Sequence, residues 1–262
     1  MTIAITIGAY RLTNFCKLNI LRCRRIWGAE VPILISDDRS SESTLMKELA
    51  DELECDYVCP DKRRSHFSGD FQTVLNSIQF AVEIGADVAL KLSQRMIPVL
   101  PEFRTTMEDA FTDERCQVVL PGQLNPQQIA RPGARFYRKF GLLTDAVALQ
   151  SDAISPEELL DVYRERCRAA DGKRAPISDS FSETTFGHLL ERKFPGPKHK
   201  LLDAWTHHQS GKPKLYLRKS QSSASDYAQV AAMEGLNISD FDLREWISIE
   251  GRHGYKPKAD VV

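Results

Sequence analysis

Apolar runs and amphipathic segments alternate along the first hundred residues of the chain. Compact apolar or β-branched runs predict four strands, near residues 2 to 8, 31 to 36, 56 to 59 and 87 to 92. Apolar residues at helical spacing lie between these runs and predict helices over 13 to 27, 42 to 54 and from Gly69 to Gly85. Strands that alternate with helices in this order are typical of a mainly parallel sheet with crossover helices.

The pattern is less regular after residue 100. The second part of the chain is predicted to contain helices near 102 to 112, 155 to 168, 182 to 193 and 227 to 234, and strands at 117 to 120 and 141 to 150. The segment that begins at Ser155 predicts a strong helix start. Ser155 offers a capping hydroxyl, Pro156 suits the first turn, and the two glutamates that follow favour the positive end of the helix. Residues 122 to 140 are predicted to form a long loop, and residues 251 to 262 a poorly ordered tail.

Two adjacent acids follow the second predicted strand. Asp37 and Asp38 come directly after the run Ile33 to Ser36. In an open α/β sheet, ligands bind in the crevice beyond the carboxyl ends of the strands. We therefore expect both carboxylates to face a ligand, as a metal pair, as an acid/base dyad or as a hold on a nucleoside.

Charge and cysteine usage narrow the function classes. The chain has 35 basic and 36 acidic residues, which are interspersed, and this argues against a protein that binds duplex nucleic acid. Its six cysteines contain no C-x-x-C pair in a chain of 262 residues, which favours reduced thiols. Cys16 and Cys23 share helical spacing with Ile20 and Trp27, so we expect them to face the core.

The N-terminal apolar run predicts a strand rather than a targeting segment. Ile3 to Ala9 is shorter than the apolar part of most signal peptides and has no basic stretch before it. No stretch approaches the ~20 apolar residues that cross a membrane. We therefore expect a cytoplasmic protein, and contact with the inner face of the membrane stays open.

Four segments together resemble the A-fold (GT-A) glycosyltransferases, in particular the family 2-like group that transfers sugars from nucleotide-sugar donors. These segments are the strand and turn Ile5 to Arg11, the acidic segment Ser36 to Ser40, the helix from Gly69 through Asn76, and the strand and turn Asp87 to Pro98. The acidic segment is similar to the family's V-D-D-G-S, and the last segment looks like its metal-binding strand. The resemblance covers about the first hundred residues.

The resemblance implies a fold and a domain division. The expected fold is α/β, a Rossmann-like GT-A fold with a mainly parallel central sheet flanked by helices, plus a C-terminal elaboration. A catalytic domain would span residues 1 to 215, with a nucleotide-sugar-binding half at 1 to 100 and an acceptor half at 101 to 215. Residues 216 to 262 would form a C-terminal extension.

The resemblance also implies ligands and contacts. The donor would be a nucleotide-sugar, most commonly a UDP-sugar, and the acceptor a glycan or another hydroxyl compound. In the family's layout, Asp37 and Asp38 hold the uracil and ribose of the donor. The donor-facing turn after the first strand would be formed by Ala9, Tyr10 and Arg11.

The chain departs from the family at the end of the fourth strand. The family has D-x-D there, whose carboxylates bind Mn²⁺ or Mg²⁺, whereas this chain has Ser93, Gln94 and Arg95. Hard divalent cations need anionic oxygen ligands, so we expect no metal at this place and no cofactor. Arg95 could instead stabilise the charge on the leaving phosphate, or it could be a solvated loop residue. Further donor contacts are expected from Arg11, Arg63, Lys91 and Gln94.

The general base is expected beyond the acceptor loop. An inverting transferase needs a carboxylate near the acceptor hydroxyl, and Asp179 and Glu183 match the family's acidic pair best. The same two residues could simply cap the helix that follows them. His207 and His208 resemble a late histidine near the donor's diphosphate, and a surface pair is the alternative.

Three functions compete at this point. The first is a metal-independent sugar transferase, in bacterial-type surface glycan assembly as far as the family resemblance indicates. The second is a degenerate transferase fold that acts as a binding or scaffold subunit, which the loss of D-x-D favours. The third, a Rossmann-type dehydrogenase or methyltransferase, is disfavoured because no G-x-G-x-x-G follows the first strand.

Overall fold

The structure is a computed structural model that describes most of the chain. The described residues are 1–63, 66–113, 116–121, 146–171, 186, 189–190, 192–193, 200–202, 214–218 and 222–241. Within them the strands are Ile3–Ala9 (β1), Ile33–Asp37 (β2), Asp56–Val58 (β3), Val88–Ser93 (β4), Ile97–Pro98 (β5), Val118–Pro121 (β6), Ala146–Gln150 (β7), Lys200–Leu202 (β8) and Tyr216–Leu217 (β9). The helices are Thr13–Trp27 (α1), Ser43–Glu52 (α2), His66–Glu83 (α3), Glu102–Phe111 (α4), Pro156–Asp171 (α5) and Ala224–Met233 (α6), and a 3₁₀ turn follows at Ile238–Asp240.

One seven-stranded sheet forms the centre of the described structure, with the strand order β3-β2-β1-β4-β7-β6-β8. β1 pairs in parallel with both β2 and β4, and β2 pairs in parallel with β3. β7 runs antiparallel between β4 and β6, and β8 is parallel to β6. The strand order reverses between β1 and β4, so the loops that follow these two strands meet at the topological switch point where α/β sheets bind ligands.

The architecture confirms the predicted α/β fold and most of its first-half elements. Helix α1 has the predicted bounds. Helix α3 begins at His66, before Gly69, so the predicted start at the glycine is wrong. The predicted cap of α5 is confirmed, because the Ser155 hydroxyl accepts from the Glu158 amide at 3.2 Å and the Glu158 carboxylate accepts from the Ser155 amide at 2.8 Å.

Apolar residues bury both faces of the sheet. One face, with Ile5, Ile35 and Leu90, packs against α1, α2 and α4. The other face packs against α3 and α5, where Val147 and Leu149 meet the apolar side of α3. Each Å² of apolar surface that this packing removes from water stabilises the fold by about 25 cal/mol.

The two helical cysteines lie in the core, as their spacing predicts. Cys16 and Cys23 are fully buried in the cluster that α1 forms with the sheet. Burial raises the pKa of both thiols well above its ordinary value. Both side chains therefore act as small apolar groups rather than as nucleophiles.

The C-terminal part of the described chain packs on α1. β9 pairs with β5 in a second, two-stranded sheet. Behind it, α6 joins Phe15 and Leu18 of α1 in an apolar cluster. Residues 216–218 and 222–241 thus pack against α1 and β5.

Among the described residues, no helix is both long enough and apolar enough to cross a membrane. The predicted loop 122–140 and the predicted tail 251–262 lie outside the described residues.

Candidate functional site

The loops after β1 and β4 are joined by one side chain at the switch point. The Gln94 amide oxygen accepts from the backbone N–H of Tyr10 at 2.8 Å, and its NH₂ group donates to the Tyr10 carbonyl at 3.0 Å. The backbone N–H of Gln94 donates to the Gly8 carbonyl at 3.0 Å. Gln94 is buried, and its amide group holds the β1 loop and the β4 loop at a fixed separation.

The turn of residues 93 to 96 connects β4 to β5. Met96 N–H closes it by donating to the Ser93 carbonyl at 2.9 Å. Asn19, fully buried on α1, supports the turn from below. Its Nδ2 lies 3.1, 3.3 and 3.0 Å from the carbonyl oxygens of Ser93, Gln94 and Met96. The half-buried Arg95 is thus carried by a turn whose backbone is tightly held.

The turn between β1 and α1 has an unusual backbone. Arg11 and Leu12 have φ values of 56° and 58°, in the left-handed region, and neither is a glycine. This conformation costs on the order of 1 to 2 kcal/mol per residue, which the buried position of Leu12 helps to offset. The strained turn carries Tyr10 and Arg11 to the crevice.

A cationic cluster forms around the Tyr10 ring. The Arg63 guanidinium carbon lies 4.4 Å from the ring centroid, and that of Arg11 lies 5.4 Å from it. Cations over an aromatic face are attracted by the ring quadrupole. Two basic residues that are 52 positions apart in the sequence, 63 minus 11, therefore meet beside the switch point.

A cleft opens next to this cluster, at the carboxyl ends of β2 and β3. It encloses about 360 Å³, part of it open to solvent. The residues that line it are Ser36, Asp37, Asp38, Val58, Pro60, Gly69, Gln72, Thr73 and Asn76. Six of these nine residues carry a carboxylate, amide or hydroxyl group, which suits a ligand that offers several hydrogen-bond donors.

Asp37 is the most deeply buried acid of the cleft, with 2% exposure. Strand alternation puts it on the same face as Ile33 and Ile35. Its Oδ2 accepts from the Tyr57 hydroxyl at 2.9 Å. Its Oδ1 is buried without a hydrogen-bond partner among the described residues. A buried carboxylate oxygen is costly to leave without a donor, so this atom is where a ligand N–H or O–H would gain most.

Asp38 depends on the glycine at position 69. A Cβ atom at Gly69 would lie 2.6 Å from Oδ2 of Asp38, closer than real Cβ contacts. The backbone N–H of Asp38 donates to the Ala9 carbonyl at 3.0 Å. The buried Ala9 therefore holds the backbone of Asp38. The first turn of α3 approaches Asp38 closely because residue 69 has no side chain.

A chain of polar side chains connects α3 to β2 along the cleft. Gln72 donates to Asn76 at 2.7 Å, and Asn76 donates to the Ser36 hydroxyl at 2.9 Å. Ser36 lies 3.5 Å from the Thr73 hydroxyl. These hydrogen bonds connect α3 with the end of β2 along the cleft.

Lys91 lies under α3 rather than at the mouth of the crevice. It is 1% exposed, and its Nζ lies 2.5 Å from Oδ1 of Asp70. Asp70 has 25% of its side chain exposed. The buried ammonium is thus held by a carboxylate at the N-terminal end of α3.

The structure brings only part of the predicted site together. The switch point gathers Ala9, Tyr10, Arg11, Arg63, Gln94 and Arg95, and the adjacent cleft holds Asp37 and Asp38. Lys91 is directed into the interface with α3. The predicted base residues Asp179 and Glu183 and the predicted phosphate contacts His207 and His208 lie outside the described residues.

No set of three or more His, Cys, Asp or Glu side chains in the described part of the chain is arranged to hold a metal ion.

Two supporting residues had no clear signal in the sequence. Asn19 resembles an ordinary polar position in a helix, and its role depends on the turn of β4 passing above it. Tyr57 belongs to a short predicted strand, but its partner Asp37 follows from the pairing of β3 with β2. A tyrosine on the strand that pairs with an acid-bearing strand is the signal that could have found it.

The chain matches no protein-family profile, and no curated protein matches it in sequence. In three dimensions it matches 263 chains of solved structures. A cytidylyltransferase from Leptospira borgpetersenii serovar Hardjo-bovis has a TM-score of 0.50 at 10% identity, covering 100% of this chain and 99% of its own. An active-site mutant of LgtC has a TM-score of 0.50 at 9% identity, covering 89% and 96%. Glucosyl-3-phosphoglycerate synthase from Mycobacterium tuberculosis, with Mn²⁺ and UDP, has a TM-score of 0.44 at 13% identity, covering 75% and 81%.

The first two likenesses show a shared fold. The chain has a Rossmann-like GT-A fold, the fold class of nucleotidyl- and glycosyltransferases, as the resemblance in its first hundred residues implies. At identities of 9 and 10%, the likeness extends no further than the fold. One fold serves many chemistries, so the activity has to be argued from the site.

Proposed function

We propose that this protein is a glycosyltransferase that moves a sugar from a nucleotide-sugar of the UDP-sugar class to a hydroxyl acceptor. The observation that carries the proposal is the buried carboxylate of Asp37, a residue of the cleft lining whose Oδ1 has no hydrogen-bond donor among the described residues. The ring N–H of uracil is a donor of the right kind for this atom. Asp38, which also lines the cleft, would accept from the ribose hydroxyls.

The cationic cluster supports a place for the donor's diphosphate. Arg11 and Arg63 meet at Tyr10, next to the turn that carries Arg95. When the bond to the sugar breaks, the leaving nucleoside diphosphate gains negative charge. Guanidinium groups can stabilise that charge through paired hydrogen bonds to the phosphate oxygens.

A mechanism without a divalent metal follows from the residue types at the end of β4. Ser93, Gln94 and Arg95 offer a cation and neutral groups where the family has carboxylates. An arginine there would repel Mg²⁺ or Mn²⁺. In this proposal Arg95 takes over the electrostatic role of the metal.

The remaining roles rest on the sequence. Asp179 or Glu183 would accept the proton of the acceptor hydroxyl, and His207 and His208 would contact the phosphates. We place the reaction at the cytoplasmic side of surface glycan assembly, on the family resemblance alone.

A second candidate is a binding or scaffold subunit that keeps the fold and has lost turnover. The observation that favours it is the absence of both D-x-D acids at Ser93 and Arg95. Such a protein would still bind a nucleotide through Asp37 and Asp38.

Calorimetric titration with UDP, UMP and uridine, with and without EDTA, tests the binding part. We expect UDP to bind more tightly than uridine, with no effect of EDTA. Arg63→Ala should weaken UDP binding on the order of tenfold and leave uridine binding unchanged. Arg164→Ala, which removes an exposed arginine paired with Asp161 on α5, is the matched control. Absence of binding to any nucleotide, or loss of binding in EDTA, would contradict the proposal.

Turnover separates the two candidates. Release of UDP from a panel of UDP-sugars supports the transferase, and tight UDP binding without release supports the binding subunit. Incubation with CTP and a sugar acid tests a nucleotidyl transfer, since pyrophosphate release would identify that reaction instead.

A further inference from the structure

Every carbonyl of the turn at residues 93 to 96 accepts a hydrogen bond from a side chain. Asn19 Nδ2 contacts the three carbonyls of Ser93, Gln94 and Met96. Because an NH₂ group has two hydrogens, these three contacts must share them. The fourth carbonyl, that of Arg95, accepts from the Tyr227 hydroxyl at 2.6 Å. Arg95 is thus the one residue of the turn that is held from α6 rather than from α1.

Tyr227 also packs against the start of α1. It is fully buried, and its ring packs edge-on against Phe15 with ring centroids 5.4 Å apart. Both rings belong to the apolar cluster that buries Leu12, the strained residue next to Arg11. One tyrosine therefore contacts the turn that carries Arg95 and the cluster that supports the turn that carries Arg11.

Helix α6 is anchored at both of its ends. Ser223 and Asp226 form a capping box at its start, with the Ser223 hydroxyl accepting from the Asp226 amide at 3.2 Å. At its end, Glu234 forms a buried ion pair of 2.7 Å with Arg22 of α1. Arg22 Nε also donates to the Pro98 carbonyl at 3.2 Å, directly after the turn. Tyr227 lies between these two anchors, so its hydroxyl has a fixed position.

We propose that Tyr227 is a positioning residue that sets the Arg95 guanidinium relative to Arg11 for the leaving diphosphate. This inference rests on the proposed function, and it gives the C-terminal segment a direct part in the reaction. The hydroxyl acts through the Arg95 backbone and does not touch the substrate. Small displacements of a charge-stabilising group are costly, because its interaction with the developing charge depends steeply on geometry.

Tyr227→Phe removes the hydroxyl and keeps the ring. On the UDP-sugar that the wild-type protein hydrolyses, we expect kcat to fall on the order of tenfold, with little change in the KM of the donor. In the Arg95→Ala background the same substitution should have no further effect on kcat, because the residue it positions is gone. An unchanged kcat in Tyr227→Phe, or an equal further loss on top of Arg95→Ala, would overturn the inference.

A second measurement does not need activity. The amides of Gln94 and Met96 donate within and beside the turn, so hydrogen exchange reports how firmly it is held. We expect exchange there to accelerate on the order of tenfold in Tyr227→Phe. Tyr163→Phe is the control. Tyr163 is half-buried and its ring stacks on that of Phe71 with ring centroids 4.6 Å apart, so this substitution should leave the exchange rates of the turn unchanged. Unchanged exchange in Tyr227→Phe would show that the hydroxyl does not hold the turn.

The two measurements keep the two proposals apart. A wild-type protein that hydrolyses no UDP-sugar overturns the transferase, whatever the exchange rates. An active wild-type protein in which Tyr227→Phe loses neither kcat nor protection keeps the transferase and overturns the role of Tyr227.

Discussion

Tyr57 and Asp37 lie on neighbouring parallel strands, and the phenol donates to Oδ2 of the carboxylate at 2.9 Å. The same hydroxyl lies 3.1 Å from the Ser43 carbonyl. A hydroxyl has one proton, and the shorter, charged partner takes it. The bond leaves Oδ1 of Asp37 as the carboxylate oxygen without a donor among the described residues, so Tyr57 orients the acid on which the proposed nucleoside contact depends.

Tyr57→Phe should therefore change both stability and its pH dependence. At pH 7 we expect a loss of about 1.5 kcal/mol in the free energy of unfolding, since the lost bond is to a charged group. Burial, followed by the bonds to Cys59 and Asp37, raises the pKa of Tyr57 above its ordinary value. The folded state thus keeps the phenol proton that the unfolded chain loses near pH 10.

The sign of the pH effect follows from this difference. Below pH 10 both states hold the proton and the contribution of Tyr57 is complete, whereas above pH 10 deprotonation favours the unfolded chain. The stability advantage of the wild-type protein over Tyr57→Phe should shrink as the pH rises from 9 to 11. Urea unfolding of both proteins across this range measures it, and an advantage that grows with pH would contradict the assignment.

Hydrophobic pattern predicts the fold here because three of the first four strands, β1, β2 and β4, are mostly apolar runs. Lys91 shows where that signal stops. It stands inside an apolar strand, and the sequence does not reveal which face of the sheet it occupies. Its buried ammonium is paired with Asp70, and this carboxylate lies beside it because α3 packs across the sheet.

Gly69 shows a second limit of sequence reasoning. A glycine before an amphipathic run is ordinarily interpreted as a helix boundary, yet α3 starts three residues earlier. The glycine instead marks the close approach of the helix to Asp38. Contacts of this kind depend on residues 31 positions apart, 69 minus 38, and local propensity carries no information about them.

Gly69→Ala should separate binding from stability. The new Cβ would lie 2.6 Å from Oδ2 of Asp38, which is the end of a side chain that can rotate away. Alanine is about 1 kcal/mol better than glycine inside a helix, so the melting temperature should stay the same or rise. Nucleotide binding should weaken, because the Asp38 carboxylate is displaced from the cleft.

The double variant Asp38→Ala/Gly69→Ala is the control for this prediction. If the glycine acts through Asp38, the double variant binds UDP as weakly as Asp38→Ala alone. A further loss would mean that the methyl group blocks the cleft itself.

Thiol labelling tests the packing of α1. Burial raises the pKa of Cys55 to about 11 and those of Cys16 and Cys23 further. At pH 8 the reactive thiolate of Cys55 is about one part in a thousand. In the native protein, iodoacetamide should modify the half-buried Cys59 before the fully buried Cys16 and Cys23, which should react only on unfolding. Rapid native labelling of Cys16 or Cys23, located by mass spectrometry, would show that α1 is packed differently.

The ion pair between Lys91 and Asp70 should respond unequally to removal of its two partners. Asp70→Ala takes the carboxylate away from a 1% exposed ammonium, which we expect to cost about 3 kcal/mol. Lys91→Met keeps most of the buried volume and leaves Asp70, with 25% of its side chain exposed, in contact with water. Its cost should be about 1 kcal/mol or less.

In the double variant Asp70→Ala/Lys91→Met, no buried ammonium remains to be compensated, so its stability should return close to that of Lys91→Met. Urea unfolding of the three variants measures this cycle, and a larger loss from Lys91→Met than from Asp70→Ala would contradict the buried position of the lysine.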